Sequence, residues 1–385
     1  MPVVPEAAAG VAQAAADVAR RFDDRYWADH CAAGKEPAEL WQELARADLL
    51  GIGLPEEHGG VGGGVTESAA LVETLAELGR PLFSLITTHI CREVLLRHGS
   101  PEQRARYLPE VAAGRLRFAF AITEPDAGTN TFAIRTSATV QPDGTLLLSG
   151  HKCYISGLDS ADVVFVVARS TSRSDVDDRR DGMTLLMVDP RDEGVAWQRM
   201  AIEMPAPERQ FDLWFDDVRV PADAVIGEVG AAFRSLFTVL NPERLLSAAT
   251  QVGIGACALA LGVQRARERS PFGVPIGSYQ AIAHPLAHAR AQLDAARLVT
   301  YEGCRVYDSG QVAGTEADVA KLLASEAAAE ALEAAVQAHG GAAFDSASGL
   351  VQLWPLVRMG RIGPVSNEMI LNGIAERVLG LPKSY

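Results

Sequence analysis

Residues 118–138 read FAFAITEPDAGTNTFAIRTSA, and the periodicity of the chain changes inside this stretch. Ahead of it, over residues 7–113, apolar side chains recur at helical spacing, as in Leu40, Leu44 and Leu49 and again in Leu71, Leu75 and Leu78. From 118 onward short runs of β-forming residues take over, at 118–123, 136–140, 145–148, 163–168, 183–188 and 211–215. Pro142, Asp143 and Gly144 separate two of these runs and predict a hairpin. The polar segment 170–181, with Val176 as its only apolar residue, predicts an exposed loop. Helical spacing returns in three long segments, 231–269, 280–307 and 317–338, which predict a bundle. The order helical, β, helical predicts an α+β fold of three parts: an N-terminal helical domain (1–115), a middle β-barrel or sandwich domain (116–228) and a C-terminal four-helix-bundle domain (229–385). Within the first part, residues 51–64 (GIGLPEEHGGVGGG) are too rich in glycine for regular structure and do not match the dinucleotide fingerprint.

Composition excludes more than it names. Of 385 residues 48% are hydrophobic and 22% charged, as in an ordinary globular protein. A net charge of −14, from 35 basic and 49 acidic residues, opposes binding to nucleic acid or to an anionic membrane surface. It does not oppose one phosphate-bearing ligand held by a few arginines. The five cysteines are far apart and odd in number, which argues against a disulfide framework or zinc site and fits a reducing cytoplasm. The histidines show no metal-ligand spacing. No segment reads as a signal peptide or as a membrane span of about 20 uncharged apolar residues, so membrane insertion is not expected.

The turn at 123–129 follows a strand and offers backbone N–H groups and the hydroxyls of Thr123 and Thr129 to a planar heterocycle, although many ordinary loops do the same. It closely resembles the TEPxAGS signature of the acyl-CoA dehydrogenases. The likeness continues in order along the chain: HKCYISG at 151–157, FDLWFDDVRVPADAVIGEVG at 211–230, RSPFGVPIGSYQ at 269–280 and QAHGG at 337–341. The resemblance implies an acyl-CoA dehydrogenase-like fold with FAD as cofactor. It assigns flavin contacts to Phe120, Ile122, Thr123, Gly128, Thr129, Tyr154, Ile155 and Ser156. It assigns the diphosphate and adenosine, in a neighbouring subunit, to Arg269, Phe272, Gln280, Gln337, Gly340 and Gly341. Ser366, Asn367 and Glu368 stand where relatives carry T-S-E at the flavin, and Thr129 stands where relatives use a serine against the thioester.

One departure decides the mechanism. In most of the family the base is the Glu of an E-G-T-S-E run, and here that run is PVSNE at 364–368, which puts Pro364 in its place. Proline cannot take a proton. The isovaleryl-CoA and long-chain enzymes carry the base on the long helix instead, and LNPERLLSAA at 240–249 is similar to their L-x-x-E-R-L pattern. The resemblance therefore assigns the base to Glu243, with Arg244 beside it at the substrate. A surface glutamate in a first helical turn is the ordinary alternative.

The expected reaction is α,β-dehydrogenation of an acyl-CoA or acyl-carrier thioester to the trans-2-enoyl thioester, with Glu243 as base and flavin N5 as hydride acceptor. The family further implies a homotetramer and an electron-transfer flavoprotein or similar acceptor. Two rivals remain at this point: a flavin monooxygenase or oxidase on the same fold, and a catalytically silent subunit that binds acyl thioesters, the latter suggested by Pro364.

Overall fold

The computed structural model describes residues 4–383, so the outermost positions of the first and last expected domains lie outside the described residues. Six helices come first: α1 (Glu6–Ala19), α2 (Asp24–Ala33), α3 (Ala38–Arg46), α4 (Val65–Glu77), α5 (Ser84–His98) and α6 (Pro101–Ala112). Eight strands follow: β1 (Phe118–Ala121), β2 (Ser137–Val140), β3 (Leu146–Ser156), β4 (Val163–Arg169), β5 (Met183–Val188), β6 (Val195–Arg199), β7 (Gln210–Val220) and β8 (Val225–Ile226). The chain closes with α7 (Ala232–Phe237), α8 (Leu240–Glu268), α9 (Gln280–Asp308), α10 (Gly314–His339), α11 (Leu350–Gly360) and α12 (Asn367–Arg377).

The strands form one mixed sheet in the order β6-β7-β3-β2-β4-β5-β8, with β1 added in parallel alongside β4. Alternation along β4 shows how the sheet is used. Val164, Val166 and Ala168 face a core enclosed by the sheet itself, shared with Leu148, Leu213 and Phe215, while Val163, Phe165 and Val167 face the helices. A strand buried on both faces reads as a continuous apolar run, which is why β4 and β5 are plain in the sequence.

Three expectations need correction. Strand β3 runs to Ser156, far past Leu148, with register shifts against β7 at Leu148/Gly150 and Lys152/Ile155 that break the alternation. Strand β6 is an edge strand with four of its five residues exposed, so it lacks the alternation of a half-buried strand. The segment 231–269 is two helices, because Thr238 and Val239 separate α7 from α8.

Helix α8 packs against α4, α9, α10 and α11, and small residues set how closely. A Cβ on Gly253 would lie 2.4 Å from the Glu73 carbonyl oxygen of α4, and one on Gly262 would lie 2.8 Å from Ala335 Cα of α10. Glycine is required at both positions. By length and composition α8 passes as a membrane span, with an 18-residue window of mean hydropathy 1.6, contrary to the expectation that no segment would. However, 67% of that window is buried inside the fold, as in the central helix of a bundle.

Two carboxylates meet where the first helices join the sheet. Glu36 lies 3.5 Å from Arg117 and Glu208 accepts from the Ser84 N–H at 2.8 Å, yet each keeps one buried oxygen without a partner among the described residues. Burial and the facing Glu208 charge push Glu36 up to about 8, and burial also raises Glu208. A carboxyl raised on folding stabilises the fold fully below its unfolded pKa, and that contribution is lost as pH rises through about 8. The melting temperature should therefore fall between pH 6 and pH 8.5, by roughly 1 °C for each kcal/mol lost in a chain of 385 residues. Glu208→Gln, which lets an amide donate to Glu36, should flatten that slope in a thermal melt series.

Candidate active site

The turn after β1 is built from the inside. Glu124 and Ala127 exchange backbone hydrogen bonds at 3.2 and 3.1 Å, closing the turn around Pro125 and Asp126. The Glu124 carboxylate points inward and accepts from the N–H groups of Arg135 (2.7 Å) and Thr136 (2.9 Å) and from Lys152 Nζ (2.9 Å). Lys152 is fully buried and also donates to the Ile122 carbonyl at 3.0 Å. Burial drives the Lys152 ammonium down to about 8. Burial alone would raise Glu124, but Lys152 and the donors on Thr136 and Arg135 outweigh it and hold the carboxyl below its usual range. Neither residue was singled out as functional in the sequence, although a lysine between β-forming residues of an expected sheet domain was a visible signal.

This core of the turn leaves its outer side open. Phe120, Ile122 and Thr123 are half-buried, and Gly128 and Thr129 are exposed. The Cys153 N–H donates to the Thr123 carbonyl at 3.0 Å, so the middle of β3 lies directly beside the turn. There Tyr154 adopts a left-handed backbone (φ 58°) in the bulge and carries its ring outward, 57% exposed. Ile155 turns into the sheet core, leaving only its backbone for a ligand, and Ser156 exchanges hydrogen bonds with Gln210. An open turn with an exposed aromatic ring beside it suits the edge and face of a planar heterocycle.

A second group of expected residues gathers at one end of the bundle. Arg269 and Phe272 lie on the exposed link between α8 and α9, Gln280 opens α9, Gln337 lies in the last turn of α10, and Gly340 and Gly341 follow it. The Arg269 guanidinium has no hydrogen-bond or ion-pair partner among the described residues. A Cβ added at Gly340 or Gly341 would meet nothing within 4 Å, so backbone there is open to close approach. Free donors on a planar fork and an open glycine backbone fit a diphosphate.

Ser366, Asn367 and Glu368 open α12. Ser366 Oγ caps the helix by accepting from the Met369 N–H, and Glu368 is exposed. Asn367 is buried, accepts from Lys321 Nζ at 2.8 Å and pairs with Ser325, which ties α12 to α10. Its side chain therefore holds the helix, and of the three only Glu368 is exposed.

Glu243 sits in the first turn of α8, where Pro242 is tolerated because the first N–H groups of a helix have no partner within it. Its neighbour across α5 is Cys91, whose thiol is pushed well up by burial and then by the Glu243 charge. By surface area Glu243 is partly exposed, yet protein surrounds its carboxyl as in the interior, and this burial pushes it up to about 7 while Arg244 pulls it down. Among the described residues nothing hydrogen bonds or ion-pairs with that carboxyl. Arg244 faces elsewhere: it pairs with Asp318 of α10, reaches Asn241 and donates to the Leu240 carbonyl at 3.2 Å, while Asp318 also receives Arg377 at 2.7 Å. The structure thus separates Arg244, a bond between helices, from Glu243, a desolvated and unpaired acid. Asp318 and Arg377 were not legible as part of this arrangement.

Comparison with known proteins identifies the family. Family models described as the acyl-CoA dehydrogenase N-terminal, middle and C-terminal domains match residues 6–115, 119–218 and 233–379. The acyl-CoA dehydrogenase FadE12 of Mycobacterium tuberculosis is 38% identical over 380 residues, covering 97% of this chain and 96% of its own. The solved butyryl-CoA dehydrogenase from Megasphaera elsdenii superposes with a TM-score of 0.89 at 27% identity, covering 96% of this chain and 98% of that one. A probable acyl-CoA dehydrogenase from Mycobacterium abscessus gives 0.91 at 29%, covering 98% and 100%. The chain belongs to the acyl-CoA dehydrogenase family. It is an oxidoreductase of the flavoprotein kind, and its cofactor is FAD.

Proposed function

We propose that this enzyme dehydrogenates a CoA- or carrier-bound acyl thioester between its α and β carbons, with Glu243 as the base. One observation carries the assignment: the Glu243 carboxyl, partly exposed by surface area but surrounded by protein, is raised to about 7 and has no hydrogen-bond or ion-pair partner among the described residues. A base poised near neutrality in a dry setting is what proton removal beside a thioester carbonyl needs. Bound FAD supplies the acceptor for the β-hydrogen. The open turn at 123–129 and the Tyr154 ring orient the flavin, and Thr129 lies on the side where the thioester passes. The enolate oxygen needs fixed donors. Pro364 has no N–H. The Val365 N–H next to it has no partner among the described residues and takes that role. Electrons leave to an electron-transfer flavoprotein or similar acceptor. The experiment is anaerobic titration with a panel of acyl-CoAs: bleaching of the flavin by at least one supports the reading, and none by any would end it.

A length along α8 supports the shared flavin site that the family resemblance implies. Glu243 and Arg269 stand at opposite ends of α8, about 39 Å apart at roughly 1.5 Å per residue. We therefore assign Arg269, Gln280 and the open glycines of this end to the flavin of a second copy, in keeping with the homotetramer that the family resemblance implies. Arg269→Ala should weaken FAD retention by about 10- to 100-fold, the loss of a charged hydrogen-bonding group. Flavin fluorescence during dialysis measures it, and unchanged retention would count against the shared site.

A further inference from the structure

The turn that follows the end of β3 rests on a carboxylate from a distant part of the chain. Gly157 comes directly after Ser156 and takes a left-handed backbone (φ 63°). A Cβ placed there would lie 3.4 Å from Glu36 Oε1, so the side chain of the link between α2 and α3 packs against this turn. The Gly157 N–H donates to the Arg209 carbonyl at 2.9 Å, and Gln210 exchanges hydrogen bonds with Ser156 at 2.8 and 3.2 Å. Glu208, just ahead of both, converges with Glu36 on Ser84, the first residue of α5. The Ser84 N–H donates to Glu208 at 2.8 Å and its hydroxyl donates to Glu36 at 3.4 Å. Glu36 on one side and the segment from Glu208 to Gln210 on the other therefore hold the strand end that carries Tyr154 and Ser156.

Charge around this group is unbalanced. The Glu36 side chain is only 6% exposed and Glu208 is buried. Asp159, two residues past Gly157, adds a third carboxyl at the exposed rim. Arg117, 3.5 Å from Glu36 and seated over the Trp41 ring, is the near counter-charge. The other cations are engaged elsewhere. Arg209 donates to the carbonyls of Cys31, Ala32, Met204 and Ala206, and Arg199 and Glu203 act on it. Arg80 donates to the carbonyls of Phe22 and Leu78 and pairs with Asp24. The Cys31 thiol, pushed up to about 12 mainly by burial, stays neutral. Two buried carboxyls placed in this way titrate as a pair. Once both are ionised they repel each other beside the Gly157 turn, where burial weakens screening.

We propose that Glu36 and Glu208 form a proton-operated latch on the flavin site: holding a proton, they let the end of β3 close on FAD, and with both ionised they push the Gly157 turn outward and loosen it. This rests on the reading that places Tyr154 and Ser156 at the flavin. Burial, and then the Glu208 charge, sets Glu36 at about 8. A carboxyl raised in this way favours the closed form at lower pH, and the latch opens as pH rises through about 8.

The test measures the FAD dissociation constant of the full chain by flavin fluorescence at pH 6.5 and pH 9, followed by return to pH 6.5. At pH 9 roughly one-tenth of Glu36 keeps its proton, so the constant should rise about tenfold and recover on return. Glu36→Gln, a neutral side chain of the same shape, should hold FAD at pH 9 as tightly as at pH 6.5, and Glu208→Gln should also flatten the rise. Retention gained at high pH cannot come from misfolding. Constant FAD affinity in the native protein, or the native rise preserved in Glu36→Gln, overturns the latch. A melting temperature that falls with pH while FAD affinity stays flat overturns it too, and leaves the carboxyl pair a role in stability alone. All of these results spare the dehydrogenase reading, which falls separately if no acyl-CoA bleaches the bound flavin.

Discussion

Glu243→Gln should remain yellow and folded and lose at least about 100-fold in kcat, the lower end of what a positioned general base contributes. The substitution keeps the shape of the side chain and removes its ability to take a proton. Because the carboxyl stands at about 7, the unmodified enzyme should gain activity as pH rises through that value and then level off, since only the ionised form is a base. The residual activity of the variant should lose this inflection. Arg244 offers a control for position, because its guanidinium is held by Asp318 and Asn241. Arg244→Met should lower stability at the α8 and α10 contact more than it moves the pH inflection.

The second large effect is structural. Glu124→Gln would leave the Lys152 ammonium buried with the Ile122 carbonyl and an amide in place of its counter-charge. Removing one partner of a buried ion pair costs about 3–5 kcal/mol. The denaturation midpoint should fall accordingly, and flavin content should fall with it, because Glu124 also holds the backbone of Arg135 and Thr136 under the turn. Adding Lys152→Met to the first change should restore part of the loss. A variant with unaltered midpoint and flavin content would show that the pair does not shape the turn.

The elements legible in the sequence share a physical cause. Strands β4 and β5 were legible because both of their faces are buried, and the hairpin at 142–144 because its turn residues are specific. Strand β6 was not, since an exposed edge carries no alternation. The end of β3 was hidden by a bulge that puts Lys152 and Cys153 both inward. Glu243 was picked out by likeness to the family's long-helix base, and its burial and lack of partner appear only in three dimensions. Asn367 shows the reverse: a position expected at the flavin is held by Lys321 and Ser325 inside the bundle.

The most direct measurement is the rate of anaerobic flavin reduction in a single turnover, followed from pH 5.5 to 9 in the native enzyme and in Glu243→Gln with whichever acyl-CoA bleaches best. The native rate should climb through about pH 7 and the variant should show almost no reduction at any pH. Reduction of the variant at the native rate would contradict the assignment of the base.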